Sequence, residues 1–407
     1  MKVIFLGPSY PPEMPDYVRG LSEVGATVYG VGDTPQSMLP EKTKRALSGY
    51  LQVRNLFDEA EVTKAVLRWV GSEEIDRVET IWEPMVLTAA TLREYLGCPG
   101  MRRNVVLGFR DKEIMKARIR AAGLRVPHSF RCVTEAEVRR AAETIGFPVI
   151  IKPIAGAGSA DTYRVDDQAT LEKVLMAVRH VPEVSCEEFV EGEEFTFDGV
   201  AIDGKPVYLN VAQYLPRPLV ARTREDISPV ICTIRNLGQP ALRPGIELGL
   251  GVLKALGMGT GFFHMEWYRK ANGEVVFGEI GCRAGGAHLV DQMNYTSDID
   301  LFREWARSVC WKDFRGNTER KYNCAIVFKR AHGHGTIQAV EGLQRFRERY
   351  HRWICTERLL PVGSRRRNWK QTLVSDGFLI VRHPEWRGAL ELADAAARTV
   401  HLHAEKS

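Results

Sequence analysis

The sequence predicts an α/β chain with α+β parts, divided into several domains, and three observations carry that expectation. Its 407 residues exceed one ordinary domain, by a prior of about 100–200 residues each. Between residues 2 and 107 short apolar runs alternate with helical patterns, which argues for a parallel sheet with helices on its faces. Farther on, two apolar runs flank Ala271-Asn272-Gly273, turn chemistry that closes an antiparallel hairpin.

The first region begins with Val3–Gly7, Thr27–Val31 and Arg77–Trp82 as strands, with Glu59–Val70 and Met85–Leu96 as helices. Gly7-Pro8-Ser9-Tyr10-Pro11-Pro12 follows the first strand, at the carboxyl edge where open sheets bind ligands, but its three prolines favour a stiff structural loop. Residues 32–40 read as a surface loop. Asp111 reads as an N-cap, and Ile114, Met115, Ile119 and Ala122 form the apolar face of a helix that stops at Gly123. A lysine at 112, in the first turn, works against the helix dipole, which points to a role for it beyond solvation.

Residues 124–186 read as strand, helix (135–145), strand, small-residue flap, strand, helix (169–179), strand, the size of a small lid. Phe147 to Pro153 is a short apolar strand that delivers Lys152, and the flap after it contains Gly156, Gly158 and Ser159. Glycine backbone N–H groups, a hydroxyl and an ammonium suit phosphate oxygens. The loop is neither a Walker A motif nor a Gly-x-Gly-x-x-Gly fingerprint, and an ordinary hairpin turn is the plain alternative.

The acidic stretch from Cys186 to Asp198 places Glu187 and Phe189 on one strand face and Glu188 and Val190 on the other, with Glu194 seven residues after Glu187. A solvated edge strand is its alternative. Leu215 to Asn236 holds Arg217, Arg222, Arg224 and Arg235, either a substrate-carboxylate loop or a solvated one. A helix over 245–255 precedes the hairpin, which sets Glu266 and Glu279 on neighbouring strands. Two carboxylates so placed suit magnesium, whereas without a cation they repel. His264 shares a strand face with Glu266, with a core histidine as the alternative. Cys282 with His288 lacks a third orienting group for thiol chemistry. The tail carries strands over 325–329, 351–355 and 377–381 and a final helix over 388–401.

Taken as an ordered set, Asp111-Lys112, Lys152 with its flap, Glu187 to Glu194, His264-Met265-Glu266 and Glu279-Ile280-Gly281-Cys282-Arg283 resemble the ATP-grasp superfamily of carboxylate–amine ligases, within it the L-amino-acid ligases. The resemblance implies an ATP-grasp fold: a Rossmann-like pre-ATP-grasp domain over 1–107, the grasp over 108–321 with a lid near 124–186, and a small α+β domain over 322–407. It implies ATP as cofactor, held by Lys112, Lys152, Gly156, Gly158, Ser159, Glu187, Phe189, Val190 and Glu194, with Mg2+ or Mn2+ on Glu266 and Glu279. Arg283 would steady the transferring phosphoryl group and His264 the activated amino acid, while Gly285, Gly286 and Ala287 leave room for its side chain. The family's late motif reads Glu-x-Asn-x-Arg, and Gly281 stands in place of the asparagine. The implied reaction joins a small-molecule carboxylate to an amine, with amino acids as substrates. A biotin-carboxylase-like or purine-pathway ligase and a non-catalytic nucleotide sensor are the alternatives.

Composition agrees. Hydrophobic residues at 44% and charged residues at 26% are globular values, and no apolar run approaches the roughly 18 residues of a membrane span. Eight cysteines without a Cys-x-x-Cys pair suggest neither zinc nor disulfides and fit a reducing cytoplasm. The net charge of +5 and the isolated Arg365-Arg366-Arg367 triplet, with no aromatic platform, give no nucleic-acid partner. No membrane partner is expected, and a homodimer stays open.

Overall fold

The protein is described by a computed structural model covering residues 1–154 and 161–405. Gly156, Gly158 and Ser159 of the expected flap lie outside the described residues. The first sheet contains β1 (Lys2–Leu6), β2 (Thr27–Gly32), β3 (Gly49–Gln52) and β4 (Arg77–Glu79), all parallel in the order β3-β2-β1-β4. Val3, Ile4, Phe5 and Leu6 are fully buried, as a parallel strand covered on both faces demands. The strand expected over Arg77–Trp82 stops at Glu79. There Thr80 donates its hydroxyl to the Leu6 carbonyl and the chain turns into the short 3-10 turn Glu83–Met85. Helix Met14–Glu23, absent from the sequence reading, follows the proline-rich loop and packs on helix Leu301–Trp311.

The second sheet is antiparallel: β5 (Ser129–Cys132), β6 (Val149–Pro153), β7 (Tyr163–Val165) and β8 (Val184–Glu188), in the order β5-β8-β6-β7. Helices Glu135–Ile145 and Gln168–Ala177 cover one face, where Val138, Ala142, Leu171 and Val174 meet Val149, Ile151, Val165 and Cys186. A capping box between Thr134 and Glu137 starts the first helix.

The largest sheet has eight strands. β9 (Glu193–Ile202), β10 (Lys205–Leu215), β11 (Val230–Thr233), β12 (Gly261–Arg269), β13 (Val275–Gly281) and β14 (Asn323–Phe328) are joined, after the short strands β15 (His332–Gly333) and β16 (Thr336–Glu341), by β17 (Ile354–Leu359) and β18 (Gly377–His383). The order is β13-β12-β9-β10-β11-β14-β18-β17, so backbone pairing continues past residue 322 into the tail. The strand expected over 351–355 begins only at Ile354, because His351–Trp353 form a 3-10 turn. The final helix spans Trp386–Thr399, and His401, expected within it, opens β19 (His401–Glu405), which pairs with β15 and β16.

Alternation along β9, β12 and β13 separates an apolar face from a charged one. Phe195, Phe197, Phe263, Met265, Trp267 and Phe277 are buried together against Leu248 and Val252 of helix Arg243–Leu256. Phe195 stacks on Trp267 at 4.7 Å between ring centroids. The helix comes this close because Gly245 and Gly249 carry no side chain. A Cβ on Gly245 would lie 2.2 Å from the Trp267 ring, and one on Gly249 2.5 Å from Phe197. Gly245→Ala should therefore cost about 1–3 kcal/mol by overpacking. Gly251→Ala meets only the movable end of Leu124, at 3.1 Å, so its overpacking cost should be smaller. Urea unfolding of the two variants checks the contrast, and equal midpoints would contradict it.

Candidate active site

The charged face is built by register. Glu194, Thr196 and Asp198 of β9 stand opposite Tyr268, Glu266 and His264 of β12. On the other side of β12, Glu266 faces Glu279 and His264 faces Gly281 of β13. Lys152 reaches this face from β6 in the second sheet, and Lys112 from the first turn of helix Lys112–Ala121, which Asp111 caps by accepting the Glu113 and Ile114 N–H groups.

Glu187 is buried between two ammonium groups. Lys152 Nζ lies 2.5 Å from Oε1, and Lys116 Nζ donates to Oε2 at 2.6 Å. Burial opposes ionisation of Glu187, but Lys116 and Lys152 outweigh it and hold its pKa at about 2. Burial likewise works against the Lys152 ammonium, and Glu187, Glu279 and Glu266 reverse the balance and raise its pKa. Lys116 also donates to Glu113 and Ser185. The sequence reading missed Lys116. Its signal was available: it sits four residues after Lys112 on the same helix face.

Lys112 is 4% exposed, with its Nζ 3.0 Å from Glu279 Oε1. Burial opposes the charge on Glu279, while Lys112 and then Lys152 lower its pKa overall. Glu194 lies on the same face. Arg217 donates to it at 3.0 Å, to the Val190 carbonyl at 2.9 Å, and stacks over Phe189 and Tyr268. Arg217 is thus committed to these protein acceptors. Burial and the Glu266 carboxylate push Glu194 up to about 8 against the pull of Arg217. The Phe189 ring is covered by Arg164 at 4.2 Å, and its N–H donates to the Pro148 carbonyl.

His264 Nδ1 is 2.5 Å from Asp198 Oδ1, and its Nε2 is 3.8 Å from Glu266 Oε1. Burial opposes protonation of the imidazole, and Asp198 outweighs it, so the His264 pKa is raised. Asp198 is itself fixed at Oδ2 by Thr196 at 2.5 Å and Asn210 at 3.0 Å. Tyr214 donates to Glu266 Oε1 at 2.9 Å. Neither Asp198 nor Tyr214 was singled out from sequence, although Asp198 continues the period-2 series of Glu194 and Thr196. Arg283 Nε is ion-paired with Glu83, and its Nη1 donates to the Ala284 carbonyl at 2.8 Å. Cys282 is a poor nucleophile here: burial and Glu83 push its thiol up to about 12. His288 is engaged elsewhere, on Asp291 at 2.7 Å and against Phe378.

Among the described residues no three acidic, histidine or cysteine side chains form a metal cage. Glu266 and Glu279 instead offer carboxylate oxygens from adjacent strands, and Glu279 already holds a cation, the Lys112 ammonium. Such a pair fits a hard divalent ion that takes its other oxygens from water and phosphates. Among the described residues no helix is long and apolar enough to cross a membrane.

Comparison with known proteins bears on this arrangement. Residues 145–291 match the ATP-grasp domain family. The L-arginine-specific L-amino acid ligase of Bacillus subtilis is 26% identical over 246 residues, 58% of this chain and 58% of the relative. The alanine–anticapsin ligase of Bacillus subtilis is 24% identical over 269 residues, 60% of this chain and 56% of the relative. The chain thus spans less than two thirds of the length of these curated relatives. The crystal structure of an L-amino acid ligase from Bacillus licheniformis superposes with a TM-score of 0.82 at 19% identity, covering 99% of this chain and 98% of that one. The chain has the ATP-grasp fold.

The Glu194 environment sets a pH dependence. Folding raises its pKa from 4.5 to about 8. Its contribution to stability is therefore complete below about pH 4.5 and is lost as pH rises through about 8. Glu194→Gln removes that slope, so between about pH 5 and pH 8 the wild type should lose unfolding free energy relative to the variant. Urea unfolding across this range measures it, and parallel curves would contradict it.

Proposed function

We propose that the chain is an ATP-dependent carboxylate–amine ligase that joins amino acids through an acyl phosphate. The observation that carries this reading is the meeting of Lys112, Lys152, Glu266, Glu279 and Arg283 around one sheet face. The ATP-grasp match and the names of the relatives support the same chemistry. Lys152 and Lys112 are suited to nucleotide phosphates, with the acidic stretch from Glu187 to Glu194 beside the base and ribose. Glu266 and Glu279 would hold Mg2+ or Mn2+, which supplies charge neutralisation at the phosphates.

In this reading a carboxylate oxygen of one amino acid attacks the γ-phosphorus, and ADP leaves. The amine of the second attacks the acyl carbon, loses a proton and displaces phosphate. Arg283 neutralises charge that develops on the transferred group, a contribution that grows where water is excluded. His264, oriented by Asp198, borders Glu266 and is placed to hold the activated amino acid. Its raised pKa favours a positive imidazolium beside that carboxylate substrate.

An ADP-release screen over amino acids, singly and in pairs with magnesium, tests the proposal. Stimulation by amino acids is the expected result, and bicarbonate-dependent turnover with no amino-acid requirement would refute it. Lys152→Ala should abolish turnover with the fold retained, and wild-type kinetics in that variant would remove Lys152 from the phosphate site. Glu279→Gln should raise the half-saturating magnesium concentration by about tenfold or more, a loss of about 1.4 kcal/mol per decade. An unchanged metal requirement would exclude Glu279 as a ligand.

A further inference from the structure

Glu83 belongs to the first sheet's edge in sequence and to the reaction centre in space. It begins the turn after β4, 200 residues from Arg283, yet its Oε2 accepts from Arg283 Nε. Its Oε1 lies 3.6 Å from Arg110 Nη1, and the side chain is 11% exposed. The pair fills a particular space. Around the position that a Cβ on Gly281 would take, the nearest atoms are Glu83 Oε2 at 3.2 Å, Arg283 Cγ at 3.4 Å and Arg283 Nε at 3.6 Å. The missing side chain at Gly281 thus leaves space beside it for an ion pair whose carboxylate comes from the edge of the first sheet.

We propose that Glu83 is the positioning residue for Arg283, and that glycine at 281 is what admits it. The inference rests on the ligase reading, in which Arg283 meets the transferring phosphoryl group. A guanidinium is planar, so fixing Nε on Glu83 and Nη1 on the Ala284 carbonyl sets its plane before substrate binds. The partner is a carboxylate because a buried arginine without one would pay for its lost hydration. The Cβ geometry bears on the glycine: a Cβ at 281 would lie 3.2 Å from Glu83 Oε2, so the carboxylate would have to give by a few tenths of an ångström.

A double-mutant cycle tests this, with kcat and KM read from ADP release and folding read from Tm. Glu83→Gln should lower kcat by about 10²-fold, the effect of a small misplacement of a catalytic group, with little change in KM for ATP. Glu83→Gln with Arg283→Lys should be no slower than Arg283→Lys alone, because residues acting as a unit are not additive. Gly281→Ala should lower kcat in the wild type and have little effect in a Glu83→Ala background. Wild-type kcat in Glu83→Gln, losses that multiply with Arg283→Lys, or a loss of activity that only follows a fall in Tm would each overturn the assignment. If no amino acid stimulates the wild type, it is the ligase reading that fails, and the same cycle run on basal ATP hydrolysis still decides the role of Glu83.

Discussion

Charge taken out of water has to be paired, and that constraint organises the centre of this protein. One face of β9, β12 and β13 carries Glu194, Asp198, Glu266 and Glu279, while the opposite face is occupied by aromatic rings. Two of the carboxylates are paired with groups from elsewhere, Glu279 with Lys112 from a helix start and Glu194 with Arg217 from the loop after β10. Lys152 pairs with Glu187 inside the second sheet and also feels the Glu279 and Glu266 carboxylates, so buried charge on the second sheet is coupled to that on the largest one. Breaking one partner of such a network typically costs about 3–5 kcal/mol, because it strands a buried charge.

Glu194 is pushed up first by burial and then by the neighbouring Glu266 carboxylate, against the pull of Arg217 and Lys152. In the ligase reading a divalent cation at Glu266 and Glu279 would ease the repulsion between neighbouring carboxylates, and nucleotide phosphates would engage Lys112 and Lys152. In the proposed reading, metal and nucleotide would satisfy each other's charge as well as that of the protein. Arg283 is likewise paired, with the Glu83 carboxylate.

Local signals made much of this legible in the sequence. The hairpin at Asn272-Gly273 was readable, and so was the facing of Glu266 and Glu279, because period-2 alternation and turn chemistry act within a few residues. The cap at Asp111 and the strand that delivers Lys152 were readable for the same reason. What could not be read were partners fixed by topology. Glu83 is 200 residues from Arg283, with nothing in either local segment to announce the contact, and although the helix spacing puts Lys116 on the face of Lys112, its partner Glu187 lies 71 residues away. The joining of β14 and β18 to the largest sheet is of the same kind, since strand order is a property of the whole chain. The final helix ends at Thr399, two residues before the expected His401, where the chain changes to the strict alternation His401-Leu402-His403-Ala404-Glu405 of a strand.

The central claim is that this charged face is completed by a nucleotide and a divalent cation together. Thermal unfolding with a non-hydrolysable ATP analogue and Mg2+, each alone and both combined, tests it most directly. At 100-fold excess over Kd the combination should stabilise the protein by about 2.7 kcal/mol, and either component alone by much less. The combined shift should disappear in Glu266→Gln. No shift with both present, or an equal shift in that variant, would contradict the account.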